Sequence, residues 1–227
     1  LTNLLTGTRA TSWPDSNSAY SYLSFFFRGE YNYKDLYYAE VAARTDASSR
    51  FGADHRWGMF WSLGFMWNIK NEAFLKDIEW LTSAQVKLST GTSGNSEIPY
   101  YDHLALVSGD ANYNDEAGIY PSQSGNEELS WEQTWANNVG VSFGLYNRVN
   151  VNVDFYHKKT TNMLMLVPQS YAITGVGNRW DNIGAMMNRG VEIAIDGDVI
   201  RTKDFTWNLS ANVSYNKNKL LELYNGV

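Results

Sequence analysis

The sequence contains no cysteine and only four prolines. The absence of cysteine excludes a disulfide framework, a thiolate metal site and a cysteine nucleophile. No apolar run approaches the roughly 20 residues that a membrane-spanning helix needs. Basic residues are outnumbered, with 18 Lys plus Arg against 24 Asp plus Glu and a formal net charge of -6. An acidic chain without a basic block is not expected to bind nucleic acid.

Residues 1–5 also lack an initiator Met, a basic region and a cleavage site, so we expect no signal peptide in this chain. Aromatic residues, in contrast, are abundant: they make up 15% of the 227 residues, with 9 Trp and 15 Tyr. This aromatic content excludes an intrinsically disordered chain. A soluble domain would have to bury nearly all of these rings, and many have no obvious inward face.

Alternation with a period of two is the main structural pattern of the sequence. Leu23, Phe25 and Phe27 fall on one face of an extended segment, and Ser24 and Arg28 fall on the other. This spacing is typical of a strand and not of a helix. Seven further segments repeat it, at residues 37–44, 57–69, 85–90, 134–145, 149–156, 191–196 and 205–216. The pattern predicts an all-β chain of about eight strands, each close to the ten residues that cross a membrane when tilted.

Two architectures fit this alternation. In an outer-membrane β-barrel the apolar face meets lipid and the polar face lines the lumen. In a soluble sandwich, such as a carbohydrate-binding or adhesion module, the apolar face is the core and the polar face meets water. The polar residues at 150–154 and 208–216 fit either architecture. The lengths of the connections and the positions of the aromatic residues have to distinguish the two architectures.

The lengths of the connections favour the barrel. Short connections are expected at residues 34–36, 146–148 and 197–204, and one of medium length, with a helical turn at 72–76, at 71–81. Long connections at 46–56, 92–129 and 165–181 alternate with them, as short periplasmic turns alternate with long extracellular loops. All four prolines fall in segments assigned to the long-loop side, namely Pro14, Pro99, Pro121 and Pro168.

Aromatic residues close to the short connections predict an interfacial girdle. They are Tyr31, Tyr33, Tyr37, Trp67, Tyr146, Phe205 and Trp207. The strand order places both ends of the chain on the long-loop side, and residues 220–227 are expected to enter another loop. A complete barrel has its termini beside its short turns. We therefore expect residues 1–227 to be part of a barrel, with further strands on both flanks.

Five segments of this chain resemble the SusC/RagA family of TonB-dependent outer-membrane transporters. They are residues 28–37 (RGEYNYKDLY), 44–58 (RTDASSRFG and RWG), 125–132 (GNEELSWE), 154–161 (DFYHKKTT) and 182–192 (NIG and NRGVE). The resemblance implies a segment from the C-terminal half of a 22-stranded barrel, without the plug, the TonB box or the terminal strand. It also implies outer-membrane lipid around the chain in a Gram-negative, Bacteroidetes-like bacterium, a SusD-like lipoprotein lid, TonB acting through the plug, and import of oligosaccharides or peptides.

No catalytic constellation is recognisable, and we do not expect an enzyme. His55, His103 and His157 are far apart and lack a second ligand at metal spacing. Acids crowd the loop at residues 92–129 and could hold Ca²⁺ with loop carbonyls. Without the order of an EF-hand, solvated loop acids are the preferred interpretation of Asp102, Asp110, Asp115 and Glu116. No other cofactor is expected.

The two longest loops hold the candidate ligand-binding residues. Aromatic rings that also form hydrogen bonds suit sugar rings and peptides equally. The candidates are Tyr100, Tyr101, His103, Tyr113, Tyr120, Tyr171, Arg179 and Trp180. Packing against a lid protein or between loops is the alternative interpretation of these residues. On the first hairpin, Arg28, Glu30, Glu40 and Arg44 share the polar face, and we expect a structural charge ladder there rather than substrate contacts.

Overall fold

The computed structural model describes residues 18–113 and 116–223. The strands are β1 (Tyr22–Tyr33), β2 (Tyr37–Ser48), β3 (Trp57–Asn68), β4 (Leu81–Asn95), β5 (Leu106–Tyr113), β6 (Glu116–Gln123), β7 (Glu132–Leu145), β8 (Val149–Thr161), β9 (Leu164–Pro168), β10 (Asn178–Asn182), β11 (Ala185–Arg201) and β12 (Thr206–Glu222). One helical turn, α1, spans Tyr171–Thr174, and 3-10 turns span Ala53–His55 and Ile69–Asn71. In the part of the chain that the structure describes, no helix is long and apolar enough to cross a membrane.

Eight of these strands form one antiparallel sheet in the order β1-β2-β3-β4-β7-β8-β11-β12. The eight strands predicted from the alternation are therefore confirmed. The remaining strands pair as two separate ribbons, β5 with β6 and β9 with β10. The ribbons lie within the long connections at residues 92–129 and 165–181, for which the sequence had predicted only loop.

The pairing register keeps apolar residues on one face of the whole sheet. One row of paired positions crosses all eight strands through Tyr31, Ala39, Phe65, Leu88, Val139, Phe155, Val191 and Tyr215. The neighbouring row runs through Glu30, Glu40, Gly64, Ser89, Asn138, Tyr156, Gly190 and Asn216. We call the side of the first row the apolar face and the side of the second row the polar face. A slip of one residue in any strand would exchange its two faces.

The apolar face is exposed in this chain. Phe25, Met59 and Val213 expose 59%, 70% and 69% of their surfaces, and no second sheet covers them among the described residues. A soluble sandwich would bury this face between two sheets, so that alternative is wrong. A wide sheet with one continuous apolar face is instead the wall of a transmembrane β-barrel, in which lipid covers that face.

Short turns close one end of the sheet. Lys34 and Asp35 both have positive φ, as do Tyr146 and Asn147, which is the backbone twist that tight hairpins require. The predicted helical turn between β3 and β4 is present, where the Lys76 N–H donates to the Glu72 carbonyl over 2.9 Å. The third short turn is narrower than predicted, at residues 202–205 instead of 197–204, because β11 continues through a bulge near Asp198.

Two further boundaries differ from the prediction. Residues 220–222 are part of β12 and not of a loop, and residues 224–227 lie outside the described part of the chain. Pro121 and Pro168 lie in strands rather than in loops, although both belong to two-stranded ribbons outside the main sheet. Both strands of a ribbon are edges, where proline's missing N–H is tolerated. Pro99 lies in a loop as predicted, and Pro14 lies outside the described residues.

The buried core lies at the opposite, long-loop end of the sheet. It consists of Phe51, Phe60, Ile98, Leu129 and Trp131, with Leu164 and Trp180 packed against it. Four of these seven residues come from the connections between strands, and Phe60 projects from β3 on the polar face. The loops therefore form a packed layer across the end of the sheet.

Candidate substrate-facing site at the long-loop end

Two of the segments that carry the sequence resemblance, residues 44–58 and 125–132, meet in this core. Phe51, from the β2–β3 connection, and Leu129, from the segment before β7, are both fully buried. The Trp131 ring packs 5.5 Å from the Phe51 ring, and its Nε1 donates to the Arg56 carbonyl over 2.9 Å. Gly52 is required because a Cβ there would collide with the Glu127 carbonyl. These motifs hold the long loops together.

Asn126 joins the ribbon of β9 and β10 to this core. Its Nδ2 donates to the Trp180 carbonyl and to Asp181 Oδ1, each over 3.1 Å. Leu164, at the start of the second ribbon, donates its backbone N–H to Glu132 on β7 over 3.1 Å. The two long loops are therefore fastened to each other at their bases and also to the sheet.

An arginine inside a group of tyrosines fixes the other side of the loop layer. The Arg50 side chain is buried, and its guanidinium lies 5.0 Å from the Tyr20 ring, 5.9 Å from Tyr22 and 5.1 Å from Tyr100. Its Nη1 donates to the Ser96 carbonyl over 3.2 Å and pairs with Glu97 over 3.1 Å. A buried guanidinium needs such cation–π and hydrogen-bonding partners to offset its desolvation.

A cavity of about 450 Å³ opens on the polar face directly beneath these loops. Arg44, Asp46 and Asn95 supply charged and amide groups to its wall, and Phe60 and Trp131 supply aromatic surface. Arg44 Nε pairs with the buried Asp46 carboxylate over 2.7 Å. A cavity that combines aromatic surface with a few fixed polar groups is the usual form of a site for a small organic ligand.

Tyr100 and Tyr101, two of the predicted ligand-binding residues, lie next to Arg50 and contribute to packing. The Tyr100 ring stacks on the Tyr20 ring at 4.9 Å, and the Tyr101 hydroxyl accepts the Ala19 N–H over 2.9 Å. His103 is buried in the same loop, where its Nδ1 has no hydrogen-bond partner among the described residues. Of these three side chains, Tyr101 retains the most exposed surface, 39%.

Arg179 and Trp180 lie on β10 and are held by neighbouring residues. Arg179 pairs with Asp181 over 2.8 Å, and Trp180 packs against the buried core. Trp180 also forms a side-chain hydrogen bond with Asp102 in the other loop. Burial raises the pKa of the Asp102 carboxyl, and the bond from Trp180 and the charge of His103 offset part of that rise.

Tyr171 is the most exposed of the described candidates, and Tyr120 is about as exposed as Tyr101. Tyr120 lies on β6 with 38% of its surface exposed, and Tyr171 lies on α1 with 67% exposed. Their segments are neighbours, because a Cβ on Gly175 would lie 3.5 Å from the Pro121 ring. Tyr113 belongs to β5, and nothing of its side chain is described.

The acids considered for Ca²⁺ do not form a cluster in the described part of the chain. Asp102 belongs to the Trp180 contact, and Glu116 begins β6 with an exposed side chain. The side chain of Asp110 and the whole of Asp115 lie outside the description. Solvated loop acids therefore stay the preferred interpretation, and Ca²⁺ binding stays the untested alternative.

The charge ladder predicted for the first hairpin is confirmed for Arg28, Glu30 and Glu40. Arg28 pairs with Glu30 over 2.5 Å and with Glu40, its diagonal neighbour, over 3.2 Å. Arg44, the fourth residue of the set, pairs with Asp46 at the cavity and extends the polar wall toward the loops. All four side chains lie on the polar face.

Sequence reasoning missed the role of Arg50 and the location of the cavity. Arg50 was visible only as part of the resemblance in residues 44–52, and its tyrosine partners come from two separate segments, at residues 20–22 and at Tyr100. The cavity lies at the junction of β2, β3 and β4, so no single stretch of sequence contains it. The alternation places Arg44, Asp46 and Phe60 on the polar face, but it does not predict that they line one cavity.

The fold and this site define a segment of a membrane-spanning β-barrel whose polar face holds a ligand-sized cavity. The family model for the TonB dependent receptor-like β-barrel matches residues 2–225. The chain belongs to this family.

Three similar proteins illustrate the relationship. TonB-dependent receptor P39 of Formosa agariphila is 37% identical over 219 residues, which are 96% of this chain and 20% of that receptor. TonB-dependent receptor SusC of Bacteroides thetaiotaomicron is 35% identical over 216 residues, covering 90% of this chain and 21% of SusC. The RagAB peptide importer in its closed-closed state is 38% identical with a TM-score of 0.88, over 99% of this chain and 25% of the solved one. The chain thus spans about a fifth of the curated relatives that it matches.

Proposed function

We propose that this chain is part of the barrel wall of a TonB-dependent importer in the outer membrane of a Bacteroidetes-like bacterium. The cavity on the polar face, beneath the packed loops, is the observation that carries the proposal. In this placement the apolar face meets lipid, the polar face lines the lumen, and the short turns face the periplasm. Imported molecules pass the cavity after entering between the long loops.

The cargo that we propose is an oligosaccharide or a peptide. The cavity offers Arg44, Asp46 and Asn95 for hydrogen bonds and the exposed ring of Tyr22 for stacking, which suits both chemistries. Among the similar proteins, RagAB is described as a peptide importer. The exposed rings of Tyr101, Tyr120 and Tyr171 extend this binding surface into the loops.

A SusD-like lipoprotein that covers the loop layer is the proposed partner on the outside, and TonB supplies energy through a plug domain. The loop layer suits a lid because its core and its hydrogen bonds make it a firm platform. Tyr171 and Ile173 on α1 expose 67% and 84% of their surfaces at this end of the sheet. Exposed apolar side chains on a rigid base are typical of contacts with another protein.

Filling the cavity tests the importer proposal. Ala42 lies on the polar face and lines the cavity, and its neighbour Val41 projects from the apolar face. In the complete receptor, Ala42→Trp should lower uptake of labelled oligosaccharide or peptide mixtures by about tenfold, because an indole occupies the space of a small ligand. Val41→Trp is the matched control and should leave uptake unchanged. Equal uptake by both variants and wild type, at equal membrane levels, would refute the role of the cavity.

A further inference from the structure

Every cation on the apolar face of the β8, β11 and β12 strands lies at one end of that face. Lys159, Arg189, Lys217 and Lys219 occupy apolar-face positions near the long loops, with His157 beside them. We call these four cations and His157 the cationic patch. Toward the short turns, the same face of these strands is apolar.

The register brings these side chains close together. Arg189 is paired with His157 on one side and with Lys217 on the other, and Met187 in the next row is flanked by Lys159 and Lys219. Neighbouring strands are about 4.8 Å apart, so the patch is roughly 10 Å wide. Like charges directly opposite on adjacent strands, such as Arg189 and Lys217, are destabilising unless an anion neutralises them.

No carboxylate of the described residues neutralises the patch. None of its four cations forms an ion pair or a hydrogen bond with another described residue, whereas Arg28, Arg44 and Arg179 elsewhere all do. Asp and Glu are absent from the apolar face of β8 and of β12 from Trp207 to Lys219. The next carboxylate along β12 after Lys219 is that of Glu222, which follows the bulge at the end of the strand.

The height of the patch matches a membrane interface. Ten residues separate Val149, at the short turn, from Lys159. At about 3.3 Å per residue and a tilt near 40°, this distance is about 25 Å along the membrane normal, which is the height of the apolar band of such barrels. The patch therefore lies where the apolar band ends, at the level of the lipid headgroups on the long-loop side.

A groove beside Lys159 completes the surface. Its volume is about 300 Å³, and Trp61, Trp135, Gln133 and Thr161 line it together with Lys159. The Trp135 Nε1 is already bonded to Thr90 over 3.0 Å, so its ring is held in place against the groove. A fixed aromatic ring next to unpaired cations suits a lipid whose chain lies on the ring and whose anionic head meets the cations.

We propose that the cationic patch binds the phosphate headgroup of an anionic glycolipid in the outer leaflet of the membrane. This inference rests on the outer-membrane placement proposed above but not on the transport activity or the cargo. The bound phosphates neutralise Arg189 and Lys217, and the acyl chains cover the apolar face below them. The protein thereby selects the lipid around one flank of the barrel.

Native mass spectrometry of the complete receptor in detergent, titrated with diphosphorylated lipid A, tests this proposal. The double variant Lys159→Gln and Lys217→Gln removes two charges of the patch. The control variant Lys87→Gln and Lys158→Gln removes two from the polar face, where Lys158 is adjacent to Lys159 in sequence. Since each basic residue near an anionic surface contributes about fivefold in affinity, the first variant should bind about 30-fold more weakly and the control within about twofold of wild type.

A second titration uses dephosphorylated lipid A. This lipid should bind weakly, and with the same affinity for wild type and for the double variant. Equal affinity of wild type and the Lys159/Lys217 variant for the diphosphorylated lipid would overturn the proposal. Equal binding of both lipids to wild type would also overturn it. Uptake is measured separately on the same variants: a receptor that binds lipid but imports nothing refutes the importer proposal and leaves this one standing.

Discussion

Asn182 and Ser130 form three hydrogen bonds with each other that join the bases of the two longest loops, and two of them use the Ser130 backbone. Ser130 donates its backbone N–H to Asn182 Oδ1 over 2.7 Å, and Asn182 Nδ2 donates to the Ser130 carbonyl over 2.9 Å. The same Nδ2 reaches the Asn162 carbonyl over 3.0 Å. One amide thus serves as acceptor and donor for the backbone of Ser130, which lies 52 residues away in the sequence.

Asn182→Asp should loosen this junction. The carboxylate retains the acceptor for Ser130 but places a charged oxygen against two carbonyls, so the loss should be about 2–3 kcal/mol of unfolding free energy. Thermal unfolding of the complete receptor and thermolysin cleavage within residues 162–184 would measure it. Asn212→Asp, on the exposed polar face of β12, is the matched control. If both variants resist thermolysin as wild type does, the junction does not hold the loops.

Arg50→Lys should weaken the other side of the loop layer. The lysine ammonium has no flat surface to stack on Tyr20 and Tyr100 while it donates to Ser96. We therefore expect a loss of about 1–3 kcal/mol of unfolding free energy. Faster proteolysis at residues 96–105 is the direct measurement. Arg201→Lys, in an exposed pair with Asp198 at 3.6 Å, should change stability by less than about 0.5 kcal/mol. Equal effects of the two changes would mean that the tyrosine rings contribute nothing.

Asp102→Asn should make stability less dependent on pH. Burial raises the pKa of Asp102 in the folded protein, so the folded state holds the proton more tightly than the unfolded state. The wild type therefore loses stability as pH rises from the ordinary Asp value through the folded pKa. Asparagine keeps an oxygen for Trp180 without the charge, so the variant should melt higher at pH 7 and lose this advantage near pH 4. A melting difference that is constant between pH 4 and pH 7 would contradict the assignment.

Lys70→Gln should destabilise the connection between β3 and β4. Lys70 Nζ donates to the carbonyls of Leu75, Lys76 and Ile78 over 3.0, 3.1 and 2.6 Å, and glutamine is too short to replace all three bonds. Charge-assisted hydrogen bonds of this kind stabilise by about 1.5–3 kcal/mol. Chemical denaturation of the receptor measures the loss, with Lys203→Gln in the β11–β12 turn as the control. No difference between these two variants would show that the Lys70 bonds are dispensable.

The sheet could be predicted from the sequence because lipid imposes a simple rule on it. A face in contact with lipid must be apolar at every second residue, so Val149, Val151 and Val153 reveal both the strand and its orientation. The predicted ends of the strands were less accurate than their centres. Polar residues such as Asn95 or Glu222 suit a strand above the membrane as well as a loop. Where a strand continues above the apolar band, its residues no longer alternate between apolar and polar, so no pattern in the sequence shows that the strand is still paired.

The candidate site was harder to predict because its partners meet only in three dimensions. Tyr100 and Trp180 were recognised as aromatic loop residues, but nothing in their local sequence shows that Tyr20 and Asp102 contact them. The ribbons β5–β6 and β9–β10 are short edges without a continuous apolar face, so they lack the pattern that revealed the main strands. The core of the loop layer forms through contacts between residues that are far apart in the sequence, and no local sequence pattern marks such contacts.

Labelling two adjacent residues of β8 with a nitroxide tests the central claim most directly. The chain has no cysteine, so Val153→Cys and Asn152→Cys in the complete receptor each add one labelling site to it. In outer membranes, the label at 153 should be accessible to oxygen and shielded from a water-soluble nickel complex, because it faces lipid. The label at 152 should show the reverse preference, because it faces the lumen. Equal access of the nickel complex to both labels, or a label at 153 that is immobilised and shielded from oxygen, would contradict a barrel wall in lipid.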